Sequence, residues 1–536
     1  MQLVLLGNLV SGVSLRKCFY LSAAVLILST LMAALIIAKL SPLEAVKCSP
    51  NTQSQQQLEQ LSGIMTPEAL VFESEGAGGN SGGRGRSSED KTPGPDALVL
   101  MHTYAPNPAA VPVQRNNREN IRRDNDRRYL EMREKMMLNK IARMSRKMRN
   151  KVMPLLNSSV SIEPNYNVHI FYYAWYRSVE YDGIWKHWNH RILPSWKKND
   201  KRVFPEGSHK PPADIGANYY PNIGCYSSMD PRVIDLHMRQ LKDAGIGVAV
   251  VSWTPPTSSD NTDSIMPDLL DAAHRYQLKI APHIEPYPGR NPINLMEHIR
   301  YVLNQYGSHP ALCRMKRESD GAVLPVIYIY DSYVFPSSAW WELLSDRGNL
   351  TLRGTEMDAI YIGLLVEPQH RNHIKKSHFD GFYTYFGING FSYGSSWKNW
   401  KDLNKFANQN GLLFIPSLGP GYIDTQVRPW NSENTRHRRH GQYYEVAWRS
   451  ALGSGAKIVS ITSFNEWHEG TQIEPAKPAS NRDFTYLDYE PEGPDFYLNL
   501  TKWWVRQFTE MHSLGSKAAL QMLASAPDQP ASSALS

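Results

Sequence analysis

The sequence predicts an α/β protein, a (β/α)8 TIM-like barrel preceded by a single transmembrane helix and a stem. Eight apolar, β-branched and aromatic runs alternate with helical stretches over roughly 350 residues, as in parallel sheets covered by helices. Most of these runs change to polar or aromatic residues at their carboxyl ends, where barrel active sites lie. An open doubly wound sheet is the alternative, but no GxGxxG follows the first run.

The eight runs define the predicted strands. They cover residues 167–176, 247–256, 278–287, 324–333, 358–367, 379–387, 412–424 and 457–467. Between the first two, the segment 230–245 reads as a helix that Asp230 caps and Gly245 ends. The carboxyl ends of the runs carry Trp175, Tyr176, Trp253, His283, Glu285, Tyr330, Asp331, Glu367, Tyr385, Tyr422, Asp424, Asn465 and Glu466. Core packing does not require such residues at the same point of each unit, so this rim is the predicted site.

The N-terminus predicts a membrane anchor. Residues 18–38 contain no charge and are long enough to cross a hydrocarbon core of about 30 Å. Arg16 and Lys17 precede them directly, which places residues 1–17 in the cytosol and the bulk of the chain in the lumen. A cleaved signal peptide is the alternative, but its apolar region would be shorter and would end at small residues.

Two polar segments separate this anchor from the predicted barrel. Residues 39–113 contain too few apolar residues to fold and predict a disordered linker. Residues 114–154 hold 14 Lys/Arg against 5 Asp/Glu within Gln114–Met153, so the chain's net charge of +7 comes from this segment. Their 3/4 apolar spacing predicts a solvated stem helix, with stem self-association as an alternative. A lumenal position disfavours a nucleic-acid arm.

The (β/α)8 domain is predicted over residues 155–515, followed by a disordered tail at 516–536. The four cysteines, Cys18, Cys48, Cys225 and Cys313, form no CxxC motif, which disfavours a zinc ribbon or a redox motif. The sequence leaves a Cys225–Cys313 disulfide open.

The stretch "FNEWHEGTQIEP" after the eighth run holds the strongest chemical signal. Glu466 and Glu469 are three residues apart, and Trp467 can desolvate one of them and raise its pKa. Two carboxyls with different surroundings at an aromatic rim suggest glycoside hydrolysis. A retaining pair usually flanks the bond at about 5–5.5 Å, which two acids on one loop achieve poorly. We read Glu474 as a surface or hinge residue.

A metal site is the alternative reading of the same residues. The pairs "HIE" at 283–285 and "HE" at 468–469 offer two histidines and two glutamates, but no HExxH motif or other known ligand spacing is present. We therefore predict no metal and no cofactor.

Six motifs together carry a resemblance to a known family. They are "FYYAWY…HWNH", "HIEPY", "IYIYDSY", "FYTYFGINGFSYGSS", "GPGYIDTQVRPWN" and "FNEWHEGTQIEP". In this order they resemble the endo-α-1,2-mannosidases of glycoside hydrolase family 99, over roughly residues 167–510.

The resemblance implies a retaining enzyme of the Golgi membrane, single-pass and type II, with a lumenal (β/α)8 domain. It would cut an internal Man-α-1,2-Man bond of high-mannose N-glycans on glycoproteins and release a glucosyl-mannose fragment. By the match of motifs, Glu466 would deprotonate the 2-OH of mannose to give a 1,2-anhydro sugar, and Glu469 would be the general acid/base. The same comparison and the rim position imply these substrate-binding residues: Tyr173, Trp175, Trp188, Trp253, His283, Glu285, Tyr385, Arg428, Asn465, Trp467 and His468.

Two departures from the family pattern leave the preferred arm open. Thr254 stands where the family has an aromatic residue, and the following loop, residues 257–264, is shorter. Both bear on the choice between glucosylated and plain mannose arms. A catalytically silent glycan-binding protein on the same barrel is the alternative function, but such a protein is expected to have lost Glu466 or Glu469.

Overall fold

The computed structural model describes residues 161–195 and 202–513. The predictions for the cytosolic tail, the signal-anchor, the linker, the stem and the C-terminal tail all lie outside these residues. Within the described ranges, no helix combines the length and apolar character that crossing a membrane requires.

The described residues form a parallel β-barrel. Its strands are β1 (Asn165–Tyr172), β2 (Ile246–Trp253), β3 (Lys279–Ile284), β5 (Val323–Ile329), β6 (Ile360–Leu364), β7 (Gly381–Tyr383), β8 (Leu413–Ile415), β9 (Ser417–Leu418) and β10 (Val459–Ile461). They pair in the order β8-β7-β6-β5-β3-β2-β1-β10-β9, all in parallel. The strand β4 (Arg314–Lys316) lies off this path and pairs with β5 in antiparallel.

The ring closes at the seventh of the eight predicted runs. There β8 pairs with β7, and β9, which follows directly after Pro416, pairs with β10. Pro416 has no N–H to donate to a ladder, so the run divides into two short strands that serve different neighbours. All eight predicted runs therefore contain barrel strands, and the predicted (β/α)8 fold is confirmed for the described residues.

One main helix packs outside the ring after each strand position. These helices are Pro231–Asp243, Met266–Arg275, Pro292–Tyr306, Ser337–Leu344, His370–Lys376, Trp400–Gln409, Gln442–Ser454 and Phe496–Ser513, with a short further helix at Val179–Asp182. In the first, the Asp230 side chain accepts the N–H of Arg232, and Gly245 adopts a φ of 73° just past the end. The predicted cap and stop are thus both confirmed.

The barrel interior is aromatic and carries paired polar groups. The Phe171 ring lies at the centre, with ring centroids 5.0 Å from His283 and 5.5 Å from Tyr383. The histidines inside are hydrogen-bonded: His169 to the hydroxyl of Tyr328 at 2.6 Å, and His283 to that of Tyr383 at 2.7 Å. Burying polar side chains is tolerable when they are paired in this way. This layer forms the floor on which the site residues rest.

Cys225 and Cys313 both carry free thiols, so the disulfide that the sequence left open is not formed in this structure.

A cluster of charged side chains lies at the amino end of the strands, opposite the predicted site. Asp380, directly before β7, pairs with Arg353 at 2.9 Å and accepts the N–H of Tyr361 at 2.8 Å. Arg353 also pairs with Asp358 at 3.3 Å. These side chains are mostly buried, so the cluster ties the loops below β6 and β7 together.

We expect Asp380→Asn to lower the free energy of unfolding by about 1–3 kcal/mol, because it removes the negative charge that compensates a largely buried guanidinium. Urea denaturation of the purified protein measures this. The matched control is Glu318→Gln, which breaks an exposed pair with Lys457 and should change stability by less than about 0.5 kcal/mol. Equal stability of the two variants would show that the Asp380 pair contributes nothing.

Candidate active site

The segment Ser463–Glu474, which follows β10, forms a loop closed by its own backbone, and we call it the glutamate loop. The N–H of Ser463 donates to the carbonyl of Thr471 at 2.9 Å, and that of Glu474 to Phe464 at 2.9 Å. The end of the loop therefore returns beneath its beginning. Within it, Trp467–Glu469 forms a single 3-10 turn.

Glycine is required where this turn ends. Gly470 has a φ of 59°, and a Cβ there would lie 2.6 Å from the carbonyl oxygen of Ile423. The close approach lets the Ile423 N–H donate to the carbonyl of Glu469 at 2.8 Å. The backbone of Glu469 is thereby fixed against the loop that follows β9.

The turn buries both glutamates. Glu466 and Glu469 are 3% and 7% exposed. Glu466 caps the turn: its carboxylate accepts the N–H of His468 at 3.2 Å, and its own N–H donates to the hydroxyl of Ser463 at 2.8 Å. The position of Glu466 is therefore set at both its backbone and its side chain.

Burial raises the pKa of both acids. For Glu466, desolvation and then the negative charge of Glu469 raise the pKa well above 4.5, against the opposing effects of the His468 N–H and Arg428. For Glu469, desolvation raises the pKa to about 7; Arg428 lowers it, while Asp424 and Glu285 raise it. The pair therefore keeps a proton near neutral pH, which is the condition for dividing acid and base roles between two carboxyls.

Both glutamates face one cavity of about 360 Å³ at the carboxyl ends of the strands. It is lined by Tyr173, Trp175, Trp185, Lys186, His187, Asn189, His190, Arg191, Ser208, Thr254, Ser258, Ser259, Asp260, Glu285, Pro286, Pro288, Tyr330, Tyr385, Glu466 and Glu469. Six of the predicted catalytic and substrate-binding residues are in this lining, Tyr173, Trp175, Glu285, Tyr385, Glu466 and Glu469, and so is the rim residue Tyr330. The lining thus brings together residues that follow six strands, β1, β2, β3, β5, β7 and β10.

Tyrosine hydroxyls form the wall beside the acids. The hydroxyl groups of Tyr173 and Tyr385 are hydrogen-bonded to each other. Burial raises the pKa of both well above 10, so both stay neutral; one hydroxyl donates to the other, and the accepting one keeps its proton for a ligand. Tyr385 has a φ of 51°, which is unfavourable for a residue with a Cβ. Its N–H donates to Ser417 Oγ at 2.7 Å, and its carbonyl accepts the hydroxyl of Thr462, so neighbouring strands hold it there.

Glu285 brings a third carboxyl to the cavity. Its Oε1 atom is buried 3.1 Å from His283 Nδ1, yet it accepts no well-oriented hydrogen bond from any described residue. The Glu285 side chain lines the cavity and is 15% exposed, so its carboxyl can accept a hydrogen bond from a ligand hydroxyl.

The other predicted site residues lie behind the lining. Three of them are tryptophans with fully buried rings whose indole N–H groups are engaged: Trp188 with the carbonyl of Tyr226, Trp253 with Asp263, and Trp467 with Glu474. The remaining four are His283, Arg428, Asn465 and His468. Direct contact of any of these seven with a substrate stays a prediction.

These residues support the lining in identifiable ways. Asn465 clamps the backbone of Tyr173, accepting its N–H and donating to its carbonyl, both at 2.7 Å. Arg428 pairs with Asp424 at 3.3 Å and lowers the pKa of Glu469. His468 Nδ1 bonds the carbonyl of Gly216 at 2.7 Å. Its Nε2 is buried and has no hydrogen-bond partner among the described residues.

The sequence analysis did not predict the second wall of the cavity, which His187, Lys186 and Asp260 form. There the His187 ring stacks on Trp175, with centroids 4.5 Å apart and planes 8° apart. Asp260 bonds His187 Nε2 at 3.1 Å and Lys186 Nζ at 2.9 Å. Although burial raises the pKa of Asp260, the His187 hydrogen bond and the His187 and Lys186 charges hold it well below its usual range.

Two features of the sequence include residues of this wall, but neither predicts that those residues pair. His187 is in the "HWNH" motif, and Asp260 is in the shortened loop after Thr254. Thr254 itself lines the cavity and is hydrogen-bonded to Thr262, so the loop closes on itself. The pairing of His187 with Asp260 spans 73 residues and has no local signature.

The interpretation of Glu474 as a surface or hinge residue is wrong. Its side chain is 2% exposed, because the glutamate loop folds back and places it under Trp467. Its Oε2 atom accepts both the hydroxyl of Tyr226 at 2.8 Å and the indole N–H of Trp467 at 2.9 Å.

The metal alternative finds no ligand cluster in the part of the chain that the structure describes. Nowhere in residues 161–195 and 202–513 do three or more His, Cys, Asp or Glu side chains converge as a metal site. His283 and Glu285 are together, but His468 turns its Nδ1 toward the backbone of Gly216.

Comparison with known proteins gives concordant results. The family described as "Glycosyl hydrolase family 99" matches residues 163–510. A mouse protein named glycoprotein endo-alpha-1,2-mannosidase is 48% identical over 67% of this chain and 79% of its own length. A human protein named glycoprotein endo-alpha-1,2-mannosidase-like protein is 49% identical over 64% of this chain and 76% of its own. The solved GH99 endo-alpha-mannosidase of Bacteroides thetaiotaomicron is 41% identical, with a TM-score of 0.61, over 65% of this chain and 99% of that one.

The raised pKa of Glu469 predicts a pH-dependent cost to stability. The folded chain keeps this proton to about pH 7, whereas the unfolded chain releases it near 4.5. Between these values the folded state binds more protons, so the free energy of unfolding falls as the pH rises. Glu469→Gln removes this loss and should be more stable than wild type by on the order of 3 kcal/mol above pH 7, and by little at pH 4.5.

Urea denaturation of both proteins from pH 4.5 to 8 measures the difference. Glu318→Gln, at an exposed carboxyl, is the control and should differ from wild type equally at all pH values. A difference for Glu469→Gln that shrinks as the pH rises would contradict the raised pKa.

Proposed function

The chain belongs to glycosyl hydrolase family 99 and is a glycosidase, and we propose that it is a retaining endo-α-1,2-mannosidase acting on high-mannose N-glycans. The observation that carries the proposal is the pair Glu466 and Glu469, both buried and both facing one aromatic-lined cavity. Mouse and frog relatives about half identical to this chain bear the name glycoprotein endo-alpha-1,2-mannosidase. The proposed cleavage is at an internal Man-α-1,2-Man bond.

The proposed mechanism uses the substrate's own 2-OH as the nucleophile. Glu466 takes the proton of this hydroxyl, its oxygen attacks C1, and a 1,2-anhydro sugar forms as the bond to the leaving oxygen breaks. Glu469 gives its proton to that leaving oxygen. It then takes a proton from water, which opens the epoxide at C1, while Glu466 returns its proton to O2. Two displacements at C1 retain the anomeric configuration.

The glutamate loop suits this division of work. The two acids project from one turn, so they are poorly placed to flank C1 from opposite faces. In a direct displacement, one carboxylate would have to attack C1 from below while the other protonates from above. Attack by O2 removes that requirement, because the nucleophile belongs to the sugar.

The base role of Glu466 requires a contribution from the bound substrate. In the substrate-free site, burial and Glu469 favour the protonated form of Glu466. The His468 N–H favours its ionised form, and a 2-OH donating to the same carboxylate would add to this effect. Transfer of the shared proton to Glu469, whose pKa is about 7, would then leave both groups in their working states.

The walls of the cavity suit a sugar chain. The stacked rings of Trp175 and His187 contribute aromatic surface to the wall, and Glu285 and the paired tyrosines present acceptors and donors for hydroxyl groups. We place the sugar preceding the cleaved bond against these groups. The outer residue of the arm would lie toward Thr254 and Asp260, where either glucose or mannose is the candidate.

We also propose that the protein is a single-pass type II protein of the Golgi membrane, with the barrel in the lumen. The charge-free segment 18–38 and the basic pair Arg16 and Lys17 before it support this orientation. Its substrates, N-glycans on glycoproteins, are found on the lumenal side.

Wild-type protein incubated with glucosylated high-mannose N-glycan should release a glucosyl-mannose disaccharide, detected by mass spectrometry. Glu466→Gln and Glu469→Gln should each reduce kcat by about 100- to 10,000-fold, because each removes one proton-transfer group. Plain high-mannose glycan in parallel measures the arm preference. Tight binding of glycan by wild type without cleavage would instead favour a silent glycan-binding protein.

The substrate's 2-OH provides a matched control for the role of Glu466. A glycan whose reacting mannose is 2-deoxy should bind and remain uncleaved by wild type, because the nucleophile is missing. Cleavage of this glycan at an ordinary rate would mean that a carboxylate attacks C1 directly, and it would overturn the base role of Glu466.

In sealed Golgi vesicles, the barrel should resist added protease until detergent is present, whereas a tag fused before residue 1 should be digested without it. The protein should also stay in the membrane pellet after an alkaline carbonate wash. Digestion of the barrel in intact vesicles would show the opposite orientation to the proposed one. Release of the protein by the carbonate wash would exclude an uncleaved anchor.

A further inference from the structure

A buried polar network lies beneath the Trp467–Glu469 turn of the glutamate loop and has no role in the proposed chemistry. Its centre is Glu474, whose carboxyl accepts from Tyr226 and Trp467, while Glu474 Oε1 is 3.2 Å from His237 Nε2. His237 Nδ1 in turn lies 2.9 Å from the hydroxyl of Tyr172. The His237 and Glu474 side chains are 0% and 2% exposed, so water does not compete for these contacts.

The network contacts both sequence neighbours of Glu466. Trp467 is held through its indole N–H. Asn465 is held through Tyr226, whose hydroxyl accepts from the Asn465 side chain at 3.2 Å. The hydroxyl of Tyr176 supports the same two residues, donating to the Asn465 carbonyl at 3.0 Å and accepting the Trp467 N–H at 3.2 Å. The backbone that carries Glu466 is thus gripped on either side.

The other end of the network is anchored in the scaffold. Tyr172 ends β1, and His237 lies in the helix Pro231–Asp243. Both elements belong to the barrel framework rather than to the site loops. A change in the glutamate loop would therefore have to break contacts with two fixed elements.

Stability alone does not explain a carboxyl in this place. No Lys or Arg of the described residues forms an ion pair with Glu474, and a buried carboxyl without such a partner is generally less stabilising than an apolar side chain. A carboxyl does offer two oxygens with room for several donors at fixed directions. Here three donors from separate elements can converge on it: an indole, a phenol and an imidazole.

We propose that Glu474 is a positioning residue for Glu466. Glu474 fixes Trp467 directly and Asn465 through Tyr226, so that the Glu466 carboxylate meets the substrate hydroxyl. The proposal rests on the proposed function, in which Glu466 is the base. Glu474 does not face the cavity and touches no substrate. Its effect should therefore be on kcat, with little effect on KM.

Three variants of the full-length protein test this by kinetics. Glu474→Ala should lower kcat by about 100-fold, the cost of a displacement near 1 Å, with KM within about twofold of wild type. Trp467→Phe, which removes only the indole N–H and part of the ring, should lower kcat about tenfold. The double variant should have a kcat only slightly below that of Glu474→Ala, because both substitutions break the same hydrogen bond between Trp467 and Glu474.

Glu474→Gln provides rescue by a conservative change. Its amide oxygen can accept from Trp467 and Tyr226, while its NH2 group can donate to His237 Nε2 in the other tautomer. It should therefore keep kcat within about tenfold of wild type, because the hydrogen-bonding geometry is kept. A kcat as low as that of Glu474→Ala would overturn positioning by hydrogen bonds, as would an Ala variant with the kcat of wild type.

Asp380→Asn is the control for stability. It removes a largely buried carboxyl at the opposite end of the barrel and should lower stability while leaving the kcat of folded protein unchanged. A fall in kcat for this variant equal to that for Glu474→Ala would assign the effect to loss of stability and overturn the proposal.

Hydrogen exchange of the backbone amides tests the same inference without turnover. In Glu474→Ala, peptides covering residues 463–470 should exchange faster than in wild type, and in Asp380→Asn they should not. Unchanged exchange in Glu474→Ala would overturn the proposal. If wild type cleaves no glycan but Glu474→Ala still exchanges faster than wild type, the proposed function is refuted and the role of Glu474 in holding the loop stands.

Discussion

Two carboxyl groups are removed from water at the mouth of the barrel, and the surrounding structure follows from the free energy that this removal costs. Glu466 and Glu469 would return to solvent if their loop were free to move. The loop is instead closed on itself, joined to the backbone after β9, and underpinned by Glu474. The raised pKa values and the rigidity of the loop are thus two results of the same burial.

The aromatic residues around the site divide into two groups according to whether they line the cavity. Trp175 and Tyr173 face the cavity, whereas Trp188, Trp253 and Trp467 have their indole N–H groups bonded inside the protein. A tryptophan whose N–H is engaged in the interior cannot also offer it to a ligand. Its large ring serves as rigid support for the residue in front of it. The wall and its support are thus made of the same residue types.

The strands and the two glutamates were predictable because their signals are local. Apolar runs identify strands, and the change to polar residues at their ends identifies the rim, as at Glu285 and Tyr385. The pairing of His187 with Asp260 and the burial of Glu474 were not predictable from the residues. Each depends on where a loop returns in space, and neither has a local pattern. The short strands on either side of Pro416 were likewise visible only as one run.

That interruption at Pro416 affects how the barrel is held together near its mouth. After the proline, hydroxyl groups take over from the peptide ladder at the end of β7: Ser417 donates its N–H to Thr384 Oγ1, and Ser417 Oγ bonds both the Tyr385 N–H and Ser460 Oγ. Peptide geometry is fixed, but a hydroxyl side chain can turn between staggered rotamers. The spacing of the strands beside Tyr385 is therefore set by hydroxyl side chains, so a substitution that removed the Ser417 hydroxyl would act on the join between these strands and not only on packing.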